Sequence, residues 1–320
     1  MVLVSISQVF RYFLASIVSS TMALHGYKKG SLNKSGCFAA ILVGFTALST
    51  SYRFGAILIL FYYTSSTLTK FHSNKKIKIE EDHVVGGNRN YIQVLANSIL
   101  ATLVALAYYC VCGEDGHVSF SASLNASDNE HVNLPFVSDI SKRLFGSLCW
   151  SMYIAHYATA NGDTWASELG VLSTSKPRLV TSLFLKEVPP GTNGGMSLLG
   201  TCASVLGGGF IGFIFWSMSL FDYSQFPMVI AGFSYGFIGS LIDSILGATI
   251  QASYYHTEKK CITKSKYRPT GEVEENIILV SGIDFVSNEF INFLSILITM
   301  IISLWWTPII FCYMNATQCM

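Results

Sequence analysis

The stretch LLGTCASVLGGGFIGFIFWSMSL, residues 198–220, runs for 23 residues without an Asp, Glu, Lys or Arg. A helix needs about 20 predominantly apolar residues to cross the hydrocarbon core of a bilayer, so this stretch predicts a membrane span. The predicted fold class is all-α, a polytopic membrane helical bundle that forms a single integral membrane domain over residues 1–320. Comparable apolar runs predict further spans near residues 2–24, 93–112, 143–161, 226–251 and 290–313.

Composition supports the same class. The chain is 51% hydrophobic and 12% charged, with a mean hydropathy of +0.46, whereas soluble domains carry about 25% charged residues. The formal net charge of +1 indicates neither the basic surface nor the acidic tail that is typical of nucleic-acid partners. We therefore expect membrane lipids around the protein and no nucleic acid bound to it.

The segment 36–63 is long for one span, and STSYRFG (49–55) interrupts it, so it is either a tight helical hairpin or one tilted helix. Charge favours the hairpin, because cytosolic loops of membrane proteins carry an excess of Lys and Arg. The hairpin topology has eight membrane segments, a lumenal loop 113–142 with a glycosylation sequon at Asn125, and lumenal termini. It places 16 of the 20 basic residues in cytosolic loops, which are 25–35, 64–92, 162–197 and 252–289.

Three acidic residues lie at or near the predicted cytosolic face. Asp163 and Glu168 follow the span 143–161, and Asp243 lies within the span 226–251. Carboxylates suit Mg²⁺, which prefers oxygen ligands and keeps waters and phosphate oxygens in its shell. Each also has a structural interpretation: Asp163 as the N-cap of a short helix, Glu168 as a solvated loop charge, and Asp243 as a partner of Arg11 or of a Lys. On one regular helix Asp163 and Glu168 point about 140° apart, so they share an ion only if Asp163 lies outside that helix.

Basic and glycine-rich segments follow the first two carboxylates. Lys176, Arg178 and Lys186 supply positive charge for phosphates. The stretch GTNGG comprises Gly191, Thr192, Asn193, Gly194 and Gly195; it precedes a helix start and can offer backbone N–H groups to an anion. It lacks the lysine of a Walker motif. Together with the carboxylates, these residues predict a site for a nucleotide–Mg²⁺ complex at the membrane surface.

Amide and glycine pairs complete the set of candidates. Asn97 stands at the mouth of one span, and Asn288 and Asn292 stand four residues apart at the mouth of the last, on one helical face. They serve either as contacts between helices or as ligands. Gly208 and Gly212 form GxxxG, which is typical of close helix packing.

Several motifs together resemble the transmembrane protein 19 family over nearly the whole chain. The family includes the plant phytyl-phosphate kinases, and the acidic and glycine motifs are more distantly similar to dolichol kinases and phosphatidate cytidylyltransferases. The motifs that carry the resemblance are KKGSLNKSG (28–36), NRNYIQVLAN (88–97), GDTWASELG (162–170), VPPGTNGGMSLLG (188–200), GSLIDSILGATIQ (239–251) and SNEFINF (287–293).

The resemblance implies a Mg²⁺-dependent kinase that converts a prenyl monophosphate to the diphosphate, with CTP or ATP as donor. Asp163 and Asp243 would hold Mg²⁺ with Glu168 assisting. The three basic residues and the GTNGG stretch would bind the triphosphate, and Asn97, Asn288 and Asn292 would orient the acceptor phosphate. We expect an integral, multi-pass protein of the endoplasmic reticulum with a cytosolic active face.

Two other functions fit the same residues. A lipid cytidylyltransferase-like enzyme would use the same metal site but release pyrophosphate. A non-enzymatic transporter would line a path with polar groups, normally near the bilayer midplane and between internal repeats. The candidates here gather at one face, and the sequence has no clear internal repeat, so an enzyme is favoured.

Overall fold

The computed structural model describes residues 6–71, 73–81, 87–113, 139–182, 186–263, 265 and 276–316. Most of the predicted loop 113–142, including Asn125, lies outside this part of the chain. Within it, every predicted membrane segment overlaps a helix of at least fourteen residues. The helices are α1 (Ile6–Lys28), α2 (Lys34–Thr50), α3 (Tyr52–Phe71), α4 (Ser73–Ile79), α5 (Tyr91–Ala96), α6 (Ile99–Cys112), α7 (Asp139–Gly170), α8 (Leu198–Ser217), α9 (Pro227–Ile250) and α10 (Asn288–Ala316).

Length and composition confirm a helical membrane protein. In the described residues, three helical stretches are long and apolar enough to cross a membrane, namely Leu198–Ser217, Tyr223–Ile250 and Asn288–Met314. Helices α2 and α6 are apolar but shorter. The exact number of spans stays a prediction, because α1, α3 and α7 carry more polar residues.

The predicted hairpin is present. Helix α2 ends at Thr50, and Ser51 adopts extended backbone angles (φ −153°, ψ 139°) before α3 begins. The Ser51 hydroxyl accepts a hydrogen bond from the Arg53 N–H at 3.2 Å. The two helices have 17 and 20 residues, which is longer than the halves of 36–63, because both continue beyond that segment.

The centre of the bundle lies around α7, which packs against α3, α6, α8, α9 and α10. Its buried Trp150 and Tyr153 contact Phe54 of α3 with ring centroids 4.0 and 4.1 Å apart. The Tyr153 hydroxyl donates to the Phe54 carbonyl at 2.9 Å. Such aromatic pairs add about 0.5–1.5 kcal/mol beyond the area they bury, so this cluster holds α7 in a defined position.

Glycines bring α7, α8 and α9 into backbone contact. A Cβ added at Gly208 would lie 2.2 Å from the Gly232 carbonyl oxygen, and one at Gly162 would lie 2.8 Å from the Ser204 carbonyl oxygen. Small residues at helix interfaces allow this close approach in membranes. As a result, Asp163, the residue after Gly162, lies close to α9.

The chain also contains short strands that an all-helical expectation misses. Strands β1 (Arg178–Leu179) and β2 (Gly195–Met196) pair with each other. Strand β3 (Ser253–His256) pairs antiparallel with β4 (Cys261–Thr263) and with β5 (Ile277–Ser281). The three-stranded sheet lies within the predicted loop 252–289. It connects the end of α4 to the glycine-rich loop, residues 191–195, through hydrogen bonds from the Glu81 N–H to β4 and from the Asn193 N–H to β3.

Candidate functional site

The two aspartates face one cavity. Asp163 of α7 and Asp243 of α9 line a space of about 320 Å³ together with residues 190–197 and the start of α8. Their carboxylates are close enough to interact electrostatically. We call this space the glycine-loop cavity and the two aspartates the acidic pair. The structure therefore unites residues that lie 80 positions apart in the chain.

Asp243 is held by α10, and within the described residues no basic side chain forms an ion pair with it. The Ser295 hydroxyl donates to Asp243 Oδ2 at 3.1 Å, and the Asn292 amide, turned so that its nitrogen faces the carboxylate, donates at 3.2 Å. Arg11, considered as a partner from sequence, instead lies 4.3 Å above the Tyr52 ring. These two contacts from α10 fix the orientation of the Asp243 carboxylate.

Asp163 and Glu168 lie on the same helix in the structure. Helix α7 continues to Gly170, so Asp163 is not an N-cap and the loop predicted from residue 162 begins after Gly170. Glu168 forms an ion pair of 3.0 Å with Lys76, and both side chains are about nine-tenths buried. Among the described residues no three His, Cys, Asp or Glu side chains are placed to hold a metal ion together. Glu168 therefore pairs with Lys76, and its assistance in holding a metal ion stays a prediction.

Lys76 is the buried cation that the sequence analysis did not single out. It lies on the short helix α4 and lines the glycine-loop cavity. The sheet anchors α4 there, because the Glu81 N–H donates to the Ile262 carbonyl at 2.9 Å and Lys259 Nζ lies 2.6 Å from Glu81 Oε1. From sequence, Lys76 was counted only as one of the basic residues of a cytosolic loop.

The glycine-rich loop, residues 191–195, is held by hydrogen bonds within the protein. Gly191 and Gly194 have φ angles of 88° and 74°, in the region that glycine adopts without strain. The N–H groups of Thr192, Asn193 and Gly195 donate to the Pro189 carbonyl, the Ser253 hydroxyl and the Thr192 carbonyl, respectively. These three N–H groups are thus already used within the protein, which corrects the expectation that all five residues present backbone donors to an anion. In the first turn of α8 the Gly200 N–H donates to the Ser197 hydroxyl at 3.1 Å and the Thr201 N–H to the Ser197 carbonyl at 2.9 Å. The Leu198 and Leu199 N–H groups and the positive end of the helix dipole remain at this helix start.

The three predicted basic residues lie elsewhere. Lys176 faces Glu187 at 3.7 Å, with 73% and 56% of the two side chains exposed. Arg178 begins strand β1, and Lys186 is exposed. None of the three lines the glycine-loop cavity, although the neighbouring Ser175 and Pro177 do. Their role in binding a triphosphate stays a prediction.

A second cavity, of about 370 Å³, has two ends of different chemistry. We call it the amphipathic cavity. One end lies between α1, α2 and α3 and is lined by apolar side chains. The other end is polar and contains the amides predicted to bind an acceptor phosphate; its lining residues include Lys76, Arg89, Gln93, Asn97, Asp163, Asn288 and Asn292.

The two cavities meet. Lys76, Asp163 and Asn288 line both of them, as do Glu80 and Ser167. A ligand in one cavity and a ligand in the other would therefore approach each other at Asp163 and Lys76. This shared wall is the feature that joins the predicted residues into one site.

The donor set suits Mg²⁺. Magnesium is normally bound by one or two carboxylates and completes its octahedron with waters and phosphate oxygens. The acidic pair supplies two carboxylates facing the same space, and the hydroxyls of Ser240 and Ser244 line that space as well. Asp163 and Asp243 are thus the residues that would hold the ion.

Comparison with known proteins identifies the family. Residues 17–300 match the family described as integral membrane protein DUF92. Protein PGR of Arabidopsis thaliana is 38% identical over 299 residues, which cover 91% of this chain and 94% of that protein. A membrane protein of Methanocaldococcus jannaschii is 27% identical over 247 residues, 75% of this chain and 84% of that protein. No solved structure matches the chain. The protein therefore belongs to the DUF92 family of integral, multi-pass membrane proteins, as its resemblance to the transmembrane protein 19 family predicted.

Proposed function

We propose that the protein is a Mg²⁺-dependent prenyl-phosphate kinase, which transfers the γ-phosphoryl group of CTP or ATP to a prenyl monophosphate. The observation that carries this proposal is the shared wall at Asp163 and Lys76, where a polar cavity meets an amphipathic one. Transfer between a water-soluble donor and a lipid acceptor needs two binding spaces of this kind with one common boundary.

The donor fits the glycine-loop cavity. Its triphosphate would lie between the acidic pair and the first turn of α8, where N–H groups and the positive end of the helix dipole favour anions. Mg²⁺ held by the acidic pair would neutralise charge on the β- and γ-phosphates. Lys76 would neutralise negative charge on the transferred γ-phosphoryl group from the side opposite the Mg²⁺. The ion pair with Glu168 holds the Lys76 ammonium group in place.

The acceptor fits the amphipathic cavity. An oxygen of its phosphate attacks the γ-phosphorus; the new P–O bond forms as the bond to the β–γ bridging oxygen breaks, and the nucleoside diphosphate leaves with the bond's electron pair. A phosphate monoester is already ionised near neutral pH, so no general base is required. Asn97, Asn288 and Asn292, at the polar end of the cavity, would orient the acceptor, as phosphoryl transfer depends mainly on positioning and charge neutralisation.

The proposed location is the endoplasmic reticulum membrane, with the shared wall toward the cytosol. The basic residues of loops 25–35 and 64–92 support this orientation through the positive-inside tendency. A cytosolic opening would also give the site access to nucleoside triphosphates.

The test is turnover by the purified full-length protein in detergent, with Mg²⁺, γ-labelled ATP or CTP, and prenyl monophosphates. The expected result is label in a prenyl diphosphate, lost by at least a hundredfold in Asp163→Asn and in Asp243→Asn. Glu258→Gln, which removes a carboxylate from an exposed turn, should keep wild-type activity.

The alternative functions give different outcomes. Release of labelled pyrophosphate, with the nucleotide joined to the lipid, would identify a cytidylyltransferase instead. Lipid or solute movement across liposomes without nucleotide turnover would identify a transporter. Equal turnover in the two Asp→Asn variants and in the wild type would refute the assignment of the acidic pair.

A further inference from the structure

Arg89 is a cation at the polar end of the amphipathic cavity whose side chain contacts neutral groups. Its guanidinium donates to the hydroxyls of Ser66 and Thr69 at 3.3 and 3.4 Å. In the described part of the chain, no carboxylate forms an ion pair with it. Burial lowers the pKa of Arg89, while interactions with the Tyr62 hydroxyl and the Glu168 carboxylate act in the opposite direction. Arginine nevertheless remains protonated in proteins. The cavity is also lined by the carboxylates of Glu80, Asp163, Glu168 and Glu289, but Glu168, whose charge acts on Arg89, is paired with Lys76, so the Arg89 guanidinium itself hydrogen-bonds to neutral hydroxyls.

The backbone holds Arg89 in a fixed position. Its N–H donates to the Ser31 carbonyl, and its carbonyl accepts from the Asn33 N–H, both at 3.0 Å. Gly36 allows this contact, because a Cβ there would lie 2.1 Å from the Arg89 carbonyl oxygen. The next residue, Asn90, caps α5 through a reciprocal capping box with Gln93. Little ordering is therefore needed for Arg89 to bind a ligand, which favours affinity.

The rest of the cavity extends from this charge into apolar surroundings. Along α2, the cavity-lining residues run from Ala40 to Leu48. On the same helix, Gly36 lies beside the Arg89 backbone. A helix rises by about 1.5 Å per residue, so the distance along α2 from Gly36 to Leu48 is about 18 Å, which we take as the depth of the cavity. The lining on this side is mostly hydrocarbon, contributed by Val18, Met22, Val43, Leu48, Leu58, Ile59 and Phe61.

We propose that Arg89 binds the phosphate of an anionic single-chain isoprenoid lipid whose hydrocarbon chain lies between α1, α2 and α3. This inference rests on the proposed function, for which it identifies the acceptor subsite and a phosphate ligand that sequence reasoning did not assign. A guanidinium can hold two phosphate oxygens at once. The depth of the apolar part suits a chain of a few isoprene units rather than a long polyprenol.

The first test measures binding without nucleotide, using the full chain in detergent. Geranylgeranyl monophosphate should bind the wild type at least tenfold more tightly than geranylgeraniol, which lacks the phosphate, or inorganic phosphate, which lacks the chain. Arg89→Gln should weaken binding of the monophosphate about 10- to 100-fold, as expected for loss of a charged hydrogen-bonding group, and should not weaken binding of the alcohol. Arg89→Lys should have an intermediate effect, and Arg143→Gln, at an exposed position of α7, should have none.

The second test addresses the chain. Val43 is buried and lines the cavity, whereas the neighbouring Leu42 is 53% exposed on the outer side of α2. Val43→Phe should reduce the affinity for geranylgeranyl monophosphate more than for the shorter geranyl monophosphate, since the added ring fills the deep part of the cavity. Leu42→Phe adds the same ring outside and should leave the preference unchanged.

The outcomes separate the two proposals. If Arg89→Gln binds the monophosphate as well as the wild type does, or if Val43→Phe leaves the chain preference unchanged, the acceptor subsite is refuted even when prenyl diphosphate is formed. If the binding pattern is as expected but no diphosphate forms with Mg²⁺ and either nucleotide, the subsite stands and the kinase proposal fails. Should Arg89→Gln not fold, Arg89→Lys tests the residue, because it must bind the monophosphate more weakly than the wild type does, and the comparison of monophosphate, alcohol and inorganic phosphate on the wild type tests the ligand.

Discussion

Replacing Gly194 by alanine tests whether the glycine-rich loop packs on α9 beside Asp243. Gly194 has a φ of 74°, and an added Cβ would lie 2.4 Å from the Ala248 Cβ and 2.6 Å from the Ser244 carbonyl oxygen. The left-handed backbone costs an L-residue about 1–2 kcal/mol. Relieving the overlap costs a further ~1–3 kcal/mol, as in other overpacked sites. We therefore expect Gly194→Ala to lower the free energy of unfolding by about 2–5 kcal/mol.

Gly30 provides the matched control. Its φ is 72°, and nothing lies within 4 Å of an added Cβ, so Gly30→Ala should show only the backbone cost. The two variants should differ by about 1–3 kcal/mol, or about 5- to 150-fold in the unfolding equilibrium constant. Denaturation of the detergent-solubilised protein, followed by circular dichroism, measures this difference, and a nucleotide-binding assay should show weakening only in Gly194→Ala. Equal losses of stability in the two variants would refute the close contact between the loop and α9.

Three further predictions concern the buried charges, the helix interface and the metal. Lys76→Met leaves the buried Glu168 without its partner and should lower the free energy of unfolding by about 3–5 kcal/mol. The control is Lys176→Met, in an exposed pair, which should lower it by less than about 1 kcal/mol. Equal effects of the two variants in denaturant titrations would contradict the burial of the Lys76–Glu168 pair. Gly208→Leu should abolish recovery of folded protein, because its Cβ would overlap the Gly232 carbonyl. The control is Cys202→Leu, on the exposed face of the same helix, which should be recovered normally. Size-exclusion chromatography measures the recovery of both variants. Removal of Mg²⁺ with EDTA should weaken nucleotide binding to the wild type at least tenfold. In a variant with both members of the acidic pair replaced by Asn, EDTA should change the nucleotide affinity little. An equal loss of affinity in both proteins would place the metal elsewhere.

The acidic pair shows how far sequence reasoning reached toward the site. Both aspartates were identifiable because a carboxylate in or beside an apolar span is costly and therefore indicates a role. Their convergence on one cavity depends on glycine contacts between α7, α8 and α9, which spacing along the chain does not reveal. The proposed role of the pair in holding Mg²⁺ stays a prediction for the assays above.

The basic residues show the opposite case. Lys176, Arg178 and Lys186 follow the carboxylates in the chain and were assigned to the phosphates, yet the structure places them outside both cavities. Lys76 and Arg89 line the amphipathic cavity instead. A signal was present for Arg89, which lies inside the motif NRNYIQVLAN, but proximity in sequence to Asp163 favoured Lys176, Arg178 and Lys186 instead.

The sequence by itself determined the membrane class, the helical hairpin and the approximate helix positions, because transfer of apolar segments into lipid and satisfaction of backbone hydrogen bonds are local properties of each segment. The pairing of Lys76 with Glu168, the orientation of Arg89 and the meeting of the two cavities were decided only in the tertiary structure. Those features depend on close packing between helices distant in the chain and on a small sheet that joins α4 to the glycine-rich loop. Side chains on separate helices face a common space only when such packing fixes how each helix is rotated and displaced relative to its neighbours.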